Sequence, residues 1–321
     1  MIVKNLSGKG QTLIPKGIIL ILSFFLILIS ANKFNFFAEI SDGFTYNQLF
    51  ESLESVDIIS GYLIYSTVAG EPFTYLLFYL FAQISSFLVF NNFLNVFLLF
   101  GVFYLFFINR VNLLVSILLI ISNYYILILQ YGAIRLKIAV IILIFSEISK
   151  NRKLIKLYQF LAVLAHFQIS IIIIINYLYK YFKDKNVKID KKIFLYVGVI
   201  FFTFSSYLLG KVSYYFSVNG IQFPYKVTLF FLLSIVTLNK LKFSSISFLV
   251  LFPLALFIGE GRIVLMYYFL IVIHFVKDRN KGIFKTIFII LISLYFSFKG
   301  FSFTNSLFNN FDYFLDDSFK F

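Results

Sequence analysis

Seven polar side chains border or interrupt long apolar runs in this sequence: Asp42, Glu71, Arg135, His166, Lys211, Glu260 and Arg262. His166 lies inside the apolar run 154–179. An imidazole changes protonation near neutral pH, which suits a general base. Glu71 and Asp42 could serve as acid or base in sugar chemistry, where carboxylates commonly do so. Arg135 and Arg262 sit at the ends of apolar segments. There, a planar five-donor guanidinium can face a wet cavity and grip phosphate oxygens. Blander roles fit the same residue types. The arginines can snorkel to an interface. His166 can be a buried structural histidine packed with Gln168. Glu71 can be a loop acid whose charge favours a helix N-terminus. His274, beside Lys277, reads as structural.

The chain has no cysteine and two histidines. Disulfides, thiolate nucleophiles and His-rich metal sites are therefore excluded, and no metal or cofactor is expected. No HExxH, Walker A or GxGxxG pattern occurs.

The elements that must position these residues follow from composition. Of 321 residues, 61% are hydrophobic and 13% charged, against about 25% charged in soluble domains. A water-soluble core cannot absorb this much apolar side chain, so the expected solvent is lipid. The net charge of +14 is sorted along the chain. With basic connectors placed in the cytoplasm, the inner side takes 20 of the 28 Lys+Arg and 4 of the 14 Asp+Glu. That sorting favours membrane topology over a nucleic-acid partner, which is not expected. The predicted fold is an all-α polytopic membrane bundle of about 10–11 spans in one domain over 1–321. Its N-terminus is cytoplasmic, in a bacterial inner membrane.

The predicted outer face has a large loop at 32–71, a second at 210–225 and an acidic tail at 301–321. A short amphipathic helix is expected at Gln48–Val56. The charge-free stretch 73–108 reads as a short helix from Pro72 to about Ser85 dipping into the outer surface, then a full span, Phe87–Ile108. Two spans there would put Arg110 and the Lys150–Lys153 cluster outside, against the positive-inside rule. Val111–Leu129 returns outward and Ala133–Ser149 inward. The run 154–179 has basic flanks at both ends, which requires an even number of crossings. It is therefore read as two half-helices meeting near His166-Phe-Gln168. Later spans follow at Ile193–Leu209, Lys226–Leu238, Ser244–Ile258, Ile263–Val276 and Thr286–Phe298.

A set of ordered motifs runs from Asp42 to Tyr267: Asp42; Gly-Glu71-Pro-Phe; Arg135-Leu-Lys-Ile-Ala139; Ala165-His166-Phe-Gln168-Ile-Ser170; and Gly261-Arg262 followed by Tyr267. In order and spacing it resembles the EpsG/Wzy-like exopolysaccharide and O-antigen polymerases. The pattern departs in two places. Gly43 stands where the family has a tyrosine after the aspartate, with Tyr46 further on, and the family's Glu-Pro-Gly-Phe lacks its glycine. The resemblance implies a metal-independent glycosyltransferase of the C-type membrane class. Such an enzyme joins undecaprenyl-diphosphate-linked oligosaccharide repeat units on the outer face of the cytoplasmic membrane. It implies His166, Glu71 and Asp42 as catalytic residues and Arg135, Arg262 and Lys211 as diphosphate ligands. Beyond the lipid-linked glycan and the bilayer, a flippase and a chain-length regulator of the same pathway are candidate partners. A polysaccharide flippase or other transporter would instead be expected to carry repeats and a charged central path, which are not evident. A membrane O-acetyltransferase would be expected to place a histidine in its first spans, but none precedes 166.

Overall fold

The computed structural model describes residues 42–111, 123–183, 223–238, 240–278 and 283–309, with the isolated positions 21, 25, 116 and 120. Twelve helices and no strand occur among the described residues: α1 (Asp42–Ser52), α2 (Ile58–Val68), α3 (Pro72–Ala82), α4 (Phe87–Ile108), α5 (Tyr124–Tyr131), α6 (Ile134–Ile148), α7 (Arg152–Ala165), α8 (Ile169–Lys183), α9 (Tyr225–Leu238), α10 (Leu241–Ile258), α11 (Glu260–Lys277) and α12 (Ile283–Asn309). The all-α class is as expected. α4 is long and apolar enough to cross a membrane, and several other helices are apolar but shorter, including α2, α3 and α9. The chain divides into two compact units, residues 1–166 with 293–314 and residues 167–292 with 315–321.

The local sequence explains four helix starts. Asp57 caps α2 by accepting from the Ile59 and Ser60 N–H groups at 2.9 and 3.1 Å. Pro72 opens α3, where its missing N–H is not needed. Asn123 caps α5 through the Tyr125 N–H at 3.0 Å, and Asn151 caps α7 through the Lys153 N–H at 2.9 Å. A helix opens at Pro72 as expected, α3, though it ends at Ala82, and α4 has the bounds expected for the apolar helix Phe87–Ile108. The break expected at 166–168 separates α7 from α8.

The segment 32–71 departs from the loop expected there. Its described part forms α1 and α2, and the amphipathic helix placed at Gln48–Val56 is α1, ending at Ser52. α1 is amphipathic, with Phe44, Gln48 and Glu51 exposed on one side. Its Tyr46, Leu49 and Phe50 are buried. Phe50 stacks on Phe90 at 5.5 Å and meets Phe78 and Phe87 edge-on at 5.9 and 5.7 Å. In the tail, α12 carries helix on to Asn309, beyond the expected span end at Phe298. The expected span Ile193–Leu209 lies outside the described residues, as does most of the 210–225 loop; of the expected span Val111–Leu129, the described part includes the start of α5 at Tyr124.

In the first unit, Gly101 lets α4 approach α6. A Cβ there would lie 3.2 Å from Ile144 Cγ2. α12 joins this unit through Phe296 against Tyr125, with ring centroids 5.0 Å apart, and through Lys299 over the Tyr124 ring.

The second unit is built round α11, which is apolar on every side and buried from Ile263 to Ile273. Its neighbours are α9 and α10, with α8 alongside. Gly259, at φ 97°, makes the corner between α10 and α11, a conformation open to glycine. Glu260 accepts from the Lys226 and Val227 N–H groups at the start of α9. This acid is therefore engaged at a helix N-terminus. His274 meets Asn176 at 2.7 Å and lies against the Phe243 ring at 3.8 Å between centroids, as a structural histidine would.

Candidate functional site

Three helix breaks of the first unit each deliver one polar side chain to a single cluster. Glu71 stands at the N-terminus of α3, after the Ala69-Gly70 link that ends α2. Arg135 is in the first turn of α6, just after the chain turns by 113° between α5 and α6. His166 follows the last residue of α7 with an extended backbone, φ −159° and ψ 112°, while its N–H still bonds the Ala162 carbonyl. Ending α7 there turns the imidazole off the helix face.

Glu71 bridges the other two. Its Oε2 accepts from Arg135 Nη1 at 2.7 Å, and its Oε1 lies 2.9 Å from His166 Nδ1. All three side chains are largely buried, with 6% of Glu71, 16% of Arg135 and 13% of His166 exposed. Burial pushes the Glu71 carboxyl upward. The His166 hydrogen bond and the Arg135 charge outweigh it and bring the carboxyl down to about 2. Glu71 is therefore an anion at neutral pH. An anion at Nδ1 places the ring proton on that nitrogen, so proton exchange with a substrate would run through Nε2. A carboxylate that fixes the tautomer of an imidazole is the arrangement that supports a general base.

Neighbouring contacts hold this geometry. The Arg135 guanidinium lies over the Tyr46 ring, 5.7 Å from its centroid. Thr74, in the first turn of α3, donates its hydroxyl to the Ala165 carbonyl at 2.8 Å. This ties the Glu71 helix to the end of the His166 helix.

Of the six residues expected at the site, Glu71, Arg135 and His166 come together. Asp42 opens α1, one turn ahead of Tyr46. Arg262 is half-buried in the first turn of α11, within the second unit. Lys211 lies outside the described residues. Sequence reasoning assigned no part to Thr74 or to Lys137, although a lysine inside an apolar span is itself a signal. No family model, curated protein or solved structure matches the chain.

Proposed function

We propose that the chain is a polytopic membrane glycosyltransferase that polymerises lipid-diphosphate-linked oligosaccharides on the outer face of the cytoplasmic membrane. The observation that carries this is the Glu71 bridge. Three of the motifs behind the resemblance, more than 90 residues apart at their extremes, supply one carboxylate, one guanidinium and one imidazole in direct contact. The membrane setting is supported by the apolar composition, the charge sorting and the 22-residue apolar α4.

On this reading His166 Nε2 takes the proton of the acceptor hydroxyl. The acceptor oxygen forms a new bond to the anomeric carbon of the growing glycan. The bond from that carbon to the lipid diphosphate breaks, and its electron pair leaves with the diphosphate. Arg135 stabilises the charge developing on that leaving group. Glu71 holds both partners in place and balances the imidazolium formed. The sequence resemblance adds Arg262 and Lys211 as further diphosphate ligands and Asp42 as a second carboxylate.

The test is a deletion strain complemented with variants and read as the length ladder of surface glycan. Arg135→Lys keeps the charge but loses the bidentate fork. We expect it, like Glu71→Gln and His166→Ala, to insert normally and leave single repeat units. Removing a general base typically costs about 10²–10⁴-fold in rate. A normal long ladder from His166→Ala would overturn this mechanism.

A further inference from the structure

Lys137 is wholly buried, with none of its surface exposed. Its ammonium donates to Asn91 Oδ1 at 2.5 Å and Asn95 Oδ1 at 2.7 Å, both on α4. Its third bond goes to the backbone carbonyl of Gln130 at 2.9 Å. All three ammonium donors are thus taken by neutral oxygens. Burying a cation without a counter-ion is costly, so the arrangement needs a reason.

The partners supply one. Gln130 is in the last turn of α5, where carbonyls have no partner within the helix. Lys137 caps that end from the next helix, across the 113° bend. Asn91 and Asn95 are four residues apart and so share one face of α4. The Asn91 amide nitrogen is buried without a partner, so its oxygen alone accounts for its place. Arg135 and Lys137 are two residues apart, about 200° round the helix. One turn of α6 is thus anchored on one side and presents Arg135 to Glu71 on the other.

We propose that Lys137 is a positioning residue: it locks the α5–α6 bend against α4 and so fixes the turn that holds Arg135 beside Glu71. Any catalytic consequence rests on the function proposed above, but the positioning does not.

The chain has two histidines, His166 beside Arg135's partner and His274 in the other unit. Ring-nitrogen NMR of the full-length protein in nanodiscs therefore gives one reporter at the cluster and one internal control. Lys137→Met should move the His166 ring signals and leave those of His274 where they are. Lys137→Met/Asn91→Leu/Asn95→Leu replaces the polar cluster by apolar side chains, a kind of exchange that often preserves folding. It should move His166 in the same way, and it decides the matter if the single variant fails to accumulate. His166 signals equal to wild type, or His274 shifting equally, would overturn the proposal. The glycan ladder is read in parallel. A moved His166 with a normal ladder upholds the positioning and counts against Arg135 acting on substrate. An unmoved His166 with a collapsed ladder overturns the positioning and leaves the polymerase reading standing.

Discussion

Thr74 donates its hydroxyl to the carbonyl of Ala165, 91 positions along the chain and immediately before His166. The bond is buried and joins the first turn of the helix that follows Glu71 to the last residue of the helix that precedes His166. Removing the hydroxyl would leave the carbonyl unsatisfied at a helix end. That costs about 1–3 kcal/mol. Thr74→Val should therefore lower the thermal or denaturant midpoint of the purified protein, while Thr74→Ser retains most of the stability. Equal midpoints for Thr74→Val and wild type would mean that this bond contributes nothing.

Glu71 links the cluster to acid stability. Its folded carboxyl is depressed to about 2 from an ordinary 4.5. A depressed acid contributes stability that is full above the unfolded value and is lost as pH falls through the folded one. The window is therefore about pH 4.5 down to 2. Wild type should lose stability across it, and Glu71→Gln, already lacking the charge, should lose less there. Circular dichroism of detergent-solubilised protein against pH distinguishes the two. Parallel curves for wild type and Glu71→Gln would contradict the assignment.

Gly61 tests the packing that holds α2 on α3. A Cβ at this position would stand 2.9 Å from the Tyr75 hydroxyl and 3.1 Å from Leu53 Cδ2. Tyr75 cannot withdraw freely, because its hydroxyl donates to the Ile58 carbonyl. Gly61→Ala improves helix propensity yet overpacks the contact, at a cost of about 1–3 kcal/mol. Adding Tyr75→Phe removes the obstructing oxygen. We expect the double variant to recover part of the loss, a non-additivity measurable in a double-mutant cycle. Strict additivity would show that the hydroxyl is not the obstacle.

The membrane assignment is tested on a chain with no native cysteine. Asp57 is exposed in the acidic segment and Lys153 is exposed in the basic one. Asp57→Cys should react with an impermeant thiol reagent added outside intact cells. Lys153→Cys should react only after the membrane is opened, because the positive-inside rule puts a basic connector on the cytoplasmic side. Labelling of both from the same side would reverse or remove this topology.

Hydropathy, charge order and punctuation were enough to read the all-α class, the bounds of α4, the helix opened by Pro72 and the interruption at His166. These are local properties: a proline at a first turn, a charge-free run, basic flanks on both ends of one apolar stretch. An amphipathic helix was legible near α1, but not its start at Asp42 or what its apolar side meets, because only Phe78, Phe87 and Phe90 across the contact give Phe50 its place. The types and places of Glu71, Arg135 and His166 could be named from the chain. That one carboxylate bridges the other two could not, since the bridge depends on three helix ends meeting in space. Lys137 makes the same point. Its residue type says only that a cation sits in an apolar span, whereas its three oxygens come from two other helices and exist as a set only once α4, α5 and α6 have packed.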